Sequence, residues 1–141
     1  MENTVIIMVS CSGGGKSTKA KQHMAGVDDA ALVSADHFFE KDGKYNFDGG
    51  KLGQAHTSCQ AKFLQFLKEG KSLIIVDNTN TTAREREFYA KAGNQYGYKV
   101  MVDVLNTDID TCAARNVHGV NREVVAKQAA RIDLKPGFYE I

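Results

Sequence analysis

The stretch that most constrains this chain is Ser10-Cys11-Ser12-Gly13-Gly14-Gly15-Lys16-Ser17-Thr18. An apolar run rich in β-branched residues, Thr4-Val5-Ile6-Ile7-Met8-Val9, precedes it and reads as a buried strand. Lys19-Ala20-Lys21-Gln22-His23-Met24-Ala25 follows and reads as helix. A strand, a glycine loop ending in Gly-Lys-Ser, and a helix make the phosphate-cradling P-loop. Glycines let successive backbone N–H groups turn inward around an anion. The helix N-terminus adds its partial positive charge. The expected ATP-binding residues are Ser12, Gly13, Gly14, Gly15, Lys16, Ser17 and Thr18. Lys16 would reach the β- and γ-phosphates, and the Ser17 hydroxyl would ligate Mg²⁺. Ser10 stands where the usual Gly-x-x-x-x-Gly-Lys-Ser/Thr pattern has its first glycine.

The 141 residues suit one domain, 1–141, with a real core. A net charge of +1 does not announce a nucleic-acid partner, though it leaves room for a local basic patch. No apolar run approaches membrane-spanning length, and the early one is too short for a secretory signal, so no membrane association is expected. Cys11, Cys59 and Cys112 are odd in number and far apart. That favours reduced thiols and a cytoplasmic location over a disulfide frame or a zinc site. Cys11, inside the anion loop, reads as a plain small residue in preference to an activated thiolate.

Strand-like and helix-like segments alternate along the whole chain, which implies a parallel sheet covered on both faces. Ala31-Leu32-Val33-Ser34 is a short second strand with Asp36 just past its end. Ligands bind at the carboxyl edge of such sheets, so Asp36 is a candidate to accept a proton from an attacking hydroxyl. It reads equally well as the N-cap of a short helix through Phe38 and Phe39. The glycine-studded segment from Phe39 to Gly50 is a loop or small hairpin. Leu52, Ala55, Cys59, Phe63 and Phe66 recur at helical spacing up to Gly70, with His56 on or beside the apolar face as a structural histidine.

Ser72-Leu73-Ile74-Ile75-Val76-Asp77 is an apolar strand ending in aspartate, the Walker B arrangement. Beside a P-loop, Asp77 becomes a candidate to hold Mg²⁺ or its water together with Ser17. Asn78-Thr79-Asn80 follows on the same edge, either touching substrate or turning the chain. Thr82 and Glu85 have capping-box spacing. Phe88, Ala92 and Tyr96 give the buried stripe of the helix they start, and Arg84 to Glu87 its solvated face. Tyr98 to Val104 is a fourth strand, and Asp108 caps the next helix. Asn121 caps a last helix whose face is Val124, Val125, Gln128, Ala129 and Ile132, and which Pro136-Gly137 ends. Arg115 and Arg122 flank a histidine-glycine turn between these helices. Such a pair can spread guanidinium groups over a transferring phosphoryl, or else form surface ion pairs with Asp110 or Glu123.

The ordered set resembles the polynucleotide kinase branch of the P-loop kinases, including the bacteriophage 5′-hydroxyl polynucleotide kinase domain and the kinase-like domains of the Nedd-binding protein group. The resemblance covers nearly the whole chain. It rests on Cys11 with Gly13 to Thr18, on Ser34-Ala35-Asp36-His37-Phe38-Phe39, on Tyr45 and Phe47, and on Ala55-His56. It rests further on Ile75-Val76-Asp77-Asn78-Thr79-Asn80 and on Arg115 to Val120 with Arg122. The resemblance implies that Asp36 is the general base and that Arg115 belongs to a lid over the donor phosphates. Phe39 stands where the phage enzyme has an arginine that grips the acceptor's phosphate, and Arg122 matches the second lid arginine only approximately. Both departures bear on the acceptor and leave ATP binding untouched.

The expected fold is α/β: a three-layer, adenylate-kinase-like P-loop NTPase with a central, mostly parallel sheet of four to five strands. The expected chemistry is transfer of the ATP γ-phosphoryl, with Lys16, Asp36, Arg115 and Arg122 as catalytic candidates and Ser17 and Asp77 for Mg²⁺. The acceptor is a polynucleotide 5′-hydroxyl, or else a nucleoside, sugar or other small hydroxyl compound. An ATP-binding module with a silent acceptor site is the third reading.

Overall fold

The first strand, β1 (Thr4–Val9), is buried along nearly its whole length, because it lies between two other strands and under helices on both faces. In the computed structural model, which describes residues 2–116 and 119–141, it leads through the glycine loop into α1 (Lys16–Met24). Then come β2 (Ala30–Val33), a 3-10 turn over Ala35–Phe39, and a two-stranded hairpin of β3 (Glu40–Lys41) and β4 (Lys44–Tyr45). The long α2 (Leu52–Glu69) leads to β5 (Leu73–Val76), α3 (Ala83–Gln95) and β6 (Lys99–Val104). The chain closes with α4 (Ile109–Arg115), α5 (Arg122–Arg131) and β7 (Gly137–Glu140).

Among the described residues, five strands form the main sheet in the order β2-β5-β1-β6-β7. The first four are parallel and β7 runs antiparallel along β6. Strand alternation sorts the layers. Val5, Ile7 and Val9 face the core built with Ala55, Cys59 and Phe63 of α2 and Tyr89 and Ala92 of α3. Ile6 and Met8 point the other way, onto Ala20 and Met24 of α1. Burying each such Val, Ile or Met contributes about 1.5–3 kcal/mol, so β1 anchors both layers. A mostly parallel five-stranded sheet with helices on both faces matches the architecture expected from the sequence.

Several local expectations are corrected. The buried stripe of α3 is Arg86, Tyr89, Ala92 and Gly93, while Tyr96 is exposed. Arg86 leaves the solvated face because its guanidinium donates to the Asn80 carbonyl at 2.9 Å and to Asp133 at 2.6 Å. The same aspartate explains why α5 stops at Arg131 and not at Pro136. Its carboxylate accepts from Ala83 N at 2.8 Å and its amide donates to the Thr81 carbonyl at 3.2 Å, which draws the chain out of the helix. Beyond Pro136 the chain pairs with β6 as β7, and Phe138 lies against the His23 ring, 5.2 Å between centroids. His56 is exposed, because the buried face of α2 runs through Ala55, Cys59, Phe63 and Leu67. Val117 and His118, part of the turn expected between the two lid arginines, lie outside the described residues.

Candidate active site

β1 delivers the glycine loop to the carboxyl edge of the sheet, where Ser10 N donates to the Thr79 carbonyl at 3.1 Å. The Ser10 hydroxyl occupies the room of the missing first glycine. It donates to the Cys11 carbonyl at 2.9 Å, and a methyl on Gly14 would meet it at 1.8 Å. The Cys11 carbonyl also accepts from Gly14 N at 3.1 Å and from the Lys16 ammonium at 3.2 Å. Lys16 thus lies back across the loop it serves. Burial pushes its pKa below the ordinary lysine value, against the opposing pull of Asp77, Cys11 and Asp36. Gly15, at φ 90°, caps α1, and the amides beginning at Lys16 are of the kind a helix start leaves for an anion.

Two carboxylates reach this rim from adjacent strands. Asp77 follows β5, its amide donating to the Val33 carbonyl at 2.8 Å, and its Oδ2 accepts from the Ser17 hydroxyl at 3.3 Å. Burial raises the Asp77 pKa, while Lys16 and Ser17 pull it down. The pair offers two hard oxygen donors, the set that suits Mg²⁺ completed by water and phosphate oxygens. Asp36 follows β2. Ser34 takes the N-cap, its hydroxyl accepting from Asp36 N at 3.2 Å, so the aspartate side chain is not spent on capping. Asp36 Oδ1 instead accepts from the Tyr45 hydroxyl at 3.2 Å. Burial, then the Asp36 and Glu40 carboxylates, push the Tyr45 hydroxyl up to about 12, so it stays a donor at neutral pH.

The asparagines between these loops are structural. Asn78 Oδ1 accepts from Ala35 N at 2.8 Å and ties the Asp77 loop to the Asp36 turn. Asn80, buried at φ 48°, donates to the Met8 carbonyl at 2.8 Å.

The α4–α5 pair seats on the loop from the other side. Cys11, Cys112 and Val125 form a small buried core, with the two sulfurs 2.7 Å apart. Burial, then the neighbouring Cys11, push the Cys112 thiol up to about 12. Gln128 Oε1 accepts from Ser12 N at 2.8 Å, and Thr107 Oγ1 donates to the Gly14 carbonyl at 3.0 Å. This docking sets Arg115 beside the loop, its Nη1 3.9 Å from where a methyl on Gly15 would lie. Arg122 holds its Nε 2.7 Å from Asp110 in an exposed pair. Helical spacing places Gln128 on the α5 face but not against the loop, and Thr107 escapes the sequence reading, since their partners lie some hundred residues away.

A cleft of about 460 Å³ opens beside the loop, lined by Gly14, Gly15, Thr18, Gln22, Leu105, Asn106 and Arg115 among others. Another, of about 480 Å³, lies between α2 and α3. The latter has none of the phosphate-loop residues, and its Lys91 and Glu87 pair with each other at 2.7 Å. The first is therefore the cleft that adjoins the phosphate loop.

A P-loop at the carboxyl edge of a mostly parallel sheet, with helices on both faces, defines a nucleotide-binding protein of P-loop kinase fold. The chain belongs to the AAA domain family whose model matches residues 5–135. It is 30% identical over 127 residues to NEDD4-binding protein 2 of Homo sapiens, an alignment covering 87% of this chain and 7% of that one. The chain therefore spans only a small part of that relative's length. Among solved structures, it is similar to a chain of the Pnkp1/Rnl/Hen1 RNA repair complex, with a TM-score of 0.78 and 18% identity. That likeness covers 99% of this chain and 48% of the other. It is also similar to a gluconokinase from Sinorhizobium meliloti, with a TM-score of 0.60, 12% identity, and 94% and 76% of the two chains covered. At these identities the structural likenesses speak for the fold. Among the described residues, no helix is long and apolar enough to cross a membrane.

Proposed function

We propose that this chain transfers the γ-phosphoryl of ATP to a hydroxyl acceptor, the 5′-hydroxyl of a polynucleotide. The observation that carries the reading is the convergence of Lys16, Asp77 and Asp36, from three strand ends, on one rim with Arg115 beside the loop. Lys16 and Arg115 would neutralise the charge on the phosphates, and the loop amides would hold them in line. Asp36, oriented by Tyr45, would accept the proton of the attacking hydroxyl. Ser17 and Asp77 would hold Mg²⁺, which supplies charge neutralisation across the phosphate oxygens. Arg122, held by Asp110 in an exposed pair, would supply the second arginine over the phosphates.

The nucleic-acid acceptor is supported by the ordered motif resemblance and by the likeness to a chain of an RNA repair complex. A small neutral acceptor is the second reading, favoured by Phe39, which is buried where a phosphate-gripping arginine would stand. Labelled ATP incubated with a 5′-hydroxyl oligonucleotide, a nucleoside and a sugar separates them. The first reading expects label on the oligonucleotide, with weaker acceptor binding as salt rises, because phosphate contacts release counterions. Label on the sugar alone, indifferent to salt, would replace the first reading with the second. ATP consumption that no acceptor stimulates would remove both.

A further inference from the structure

Four aromatic side chains gather beside Asp36. Phe39 is the buried hub, 5% exposed. Phe38 meets it edge-on with centroids 5.4 Å apart, Tyr45 edge-on at 6.1 Å, and Phe47 tilted at 5.1 Å. Phe38 and Phe47 nevertheless remain 39% and 56% exposed. A hydrophobic core explains Phe39 and leaves the two outer rings unexplained. Both outer rings thus rest against Phe39 while still facing outward.

The patch is continuous with the candidate active site. Phe38 lies two residues after Asp36, and Phe47 two residues after Tyr45, whose hydroxyl donates to Asp36. An acceptor with its hydroxyl at Asp36 has this surface within reach of the rest of its terminal unit. Aromatic rings accept any nucleobase, because every base presents a π-face.

We propose that Phe38 and Phe47 form a stacking seat for the terminal nucleobase of the acceptor, so that the acceptor is selected by its base where an arginine is absent. The inference rests on the acceptor side of the function proposed above. Its test is equilibrium binding, which does not require turnover. A short single-stranded 5′-hydroxyl oligonucleotide is compared with the same oligonucleotide carrying an abasic 5′-terminal residue. Binding to the whole chain is read by fluorescence anisotropy with a non-hydrolysable ATP analogue present, and phosphoryl transfer is measured in parallel.

The intact terminal base is expected to improve binding about tenfold. Phe47→Ala is expected to abolish that preference, raising KM for the intact acceptor and leaving kcat and ATP-analogue binding unchanged. Phe47→Tyr is expected to restore the preference. Equal binding of the two oligonucleotides by the wild-type chain overturns the seat, as does no oligonucleotide binding at all, or a preference that survives Phe47→Ala. A base preference without phosphoryl transfer supports the seat and overturns the kinase reading alone.

Discussion

Replacing Gly13 with alanine should damage both stability and nucleotide binding, for a reason that can be sized. Gly13 sits at φ 80°, which costs an alanine about 1–2 kcal/mol. Its new methyl would also lie 2.0 Å from the Cys112 carbonyl oxygen, where ordinary contact needs about 3.5 Å. That neighbour is α4 backbone, so the helix must recoil by more than an ångström, adding about 1–3 kcal/mol of overpacking. Gly26→Ala is the matched control. Gly26 has a similar φ of 78° and nothing within 4 Å of the added methyl, so it carries the conformational cost alone. At about 3–5 °C per kcal/mol for a domain of this size, Gly13→Ala should melt roughly 3–15 °C below Gly26→Ala. Because α4 also carries Arg115, its recoil should weaken binding of an ATP analogue, while Gly26→Ala binds normally. Thermal unfolding and calorimetric titration of the two variants decide the matter. Equal melting temperatures and equal affinities would refute the seating of the phosphate loop on α4.

Other consequences are simpler to state. Lys16→Ala should reduce phosphoryl transfer by about 100-fold or more, as loss of a preorganised charge does, and activity near wild type in a steady-state assay would remove Lys16 from the chemistry. Asn80→Ala strands the buried Met8 carbonyl and should cost about 1–3 kcal/mol in urea unfolding; a change below about 0.5 kcal/mol would contradict the structural role given to this side chain. Burial pushes the Asp133 carboxyl up, but hydrogen bonds from Arg86 and Ala83 outweigh it and hold its pKa below the usual carboxylate range. Its contribution is therefore full above the unfolded value of about 3.9 and is lost as pH falls through the lower folded value. The Tm gap between wild type and Asp133→Asn should accordingly be widest at neutral pH and close in strong acid; a gap constant with pH would contradict the linkage.

What was legible in the sequence had a local signature. The glycine loop, the buried strand from Thr4 to Val9, and the caps at Thr82, Asp108 and Asn121 are decided within a few residues. What escaped depends on partners far along the chain. Arg86 looks solvated until Asn80 and Asp133 arrive around it. β7 exists because β6 leaves an open edge, and four residues after a proline carry no periodicity that announces it. Asp36 stood between base and cap on spacing alone, and only the position of the Ser34 hydroxyl shows that the cap is already supplied. The roles of Asn78 and Gln128 are likewise tertiary, each holding a backbone amide of a distant loop.

The most direct test of the shared rim is to measure ATP-analogue affinity and single-turnover phosphoryl transfer side by side in wild type and Asp36→Asn. If the carboxylate serves the acceptor's hydroxyl from a place next to the phosphate cradle, affinity stays within about twofold while transfer falls by about 10²–10⁴-fold. Transfer that persists at the wild-type rate, or an equal collapse of both quantities, would contradict it.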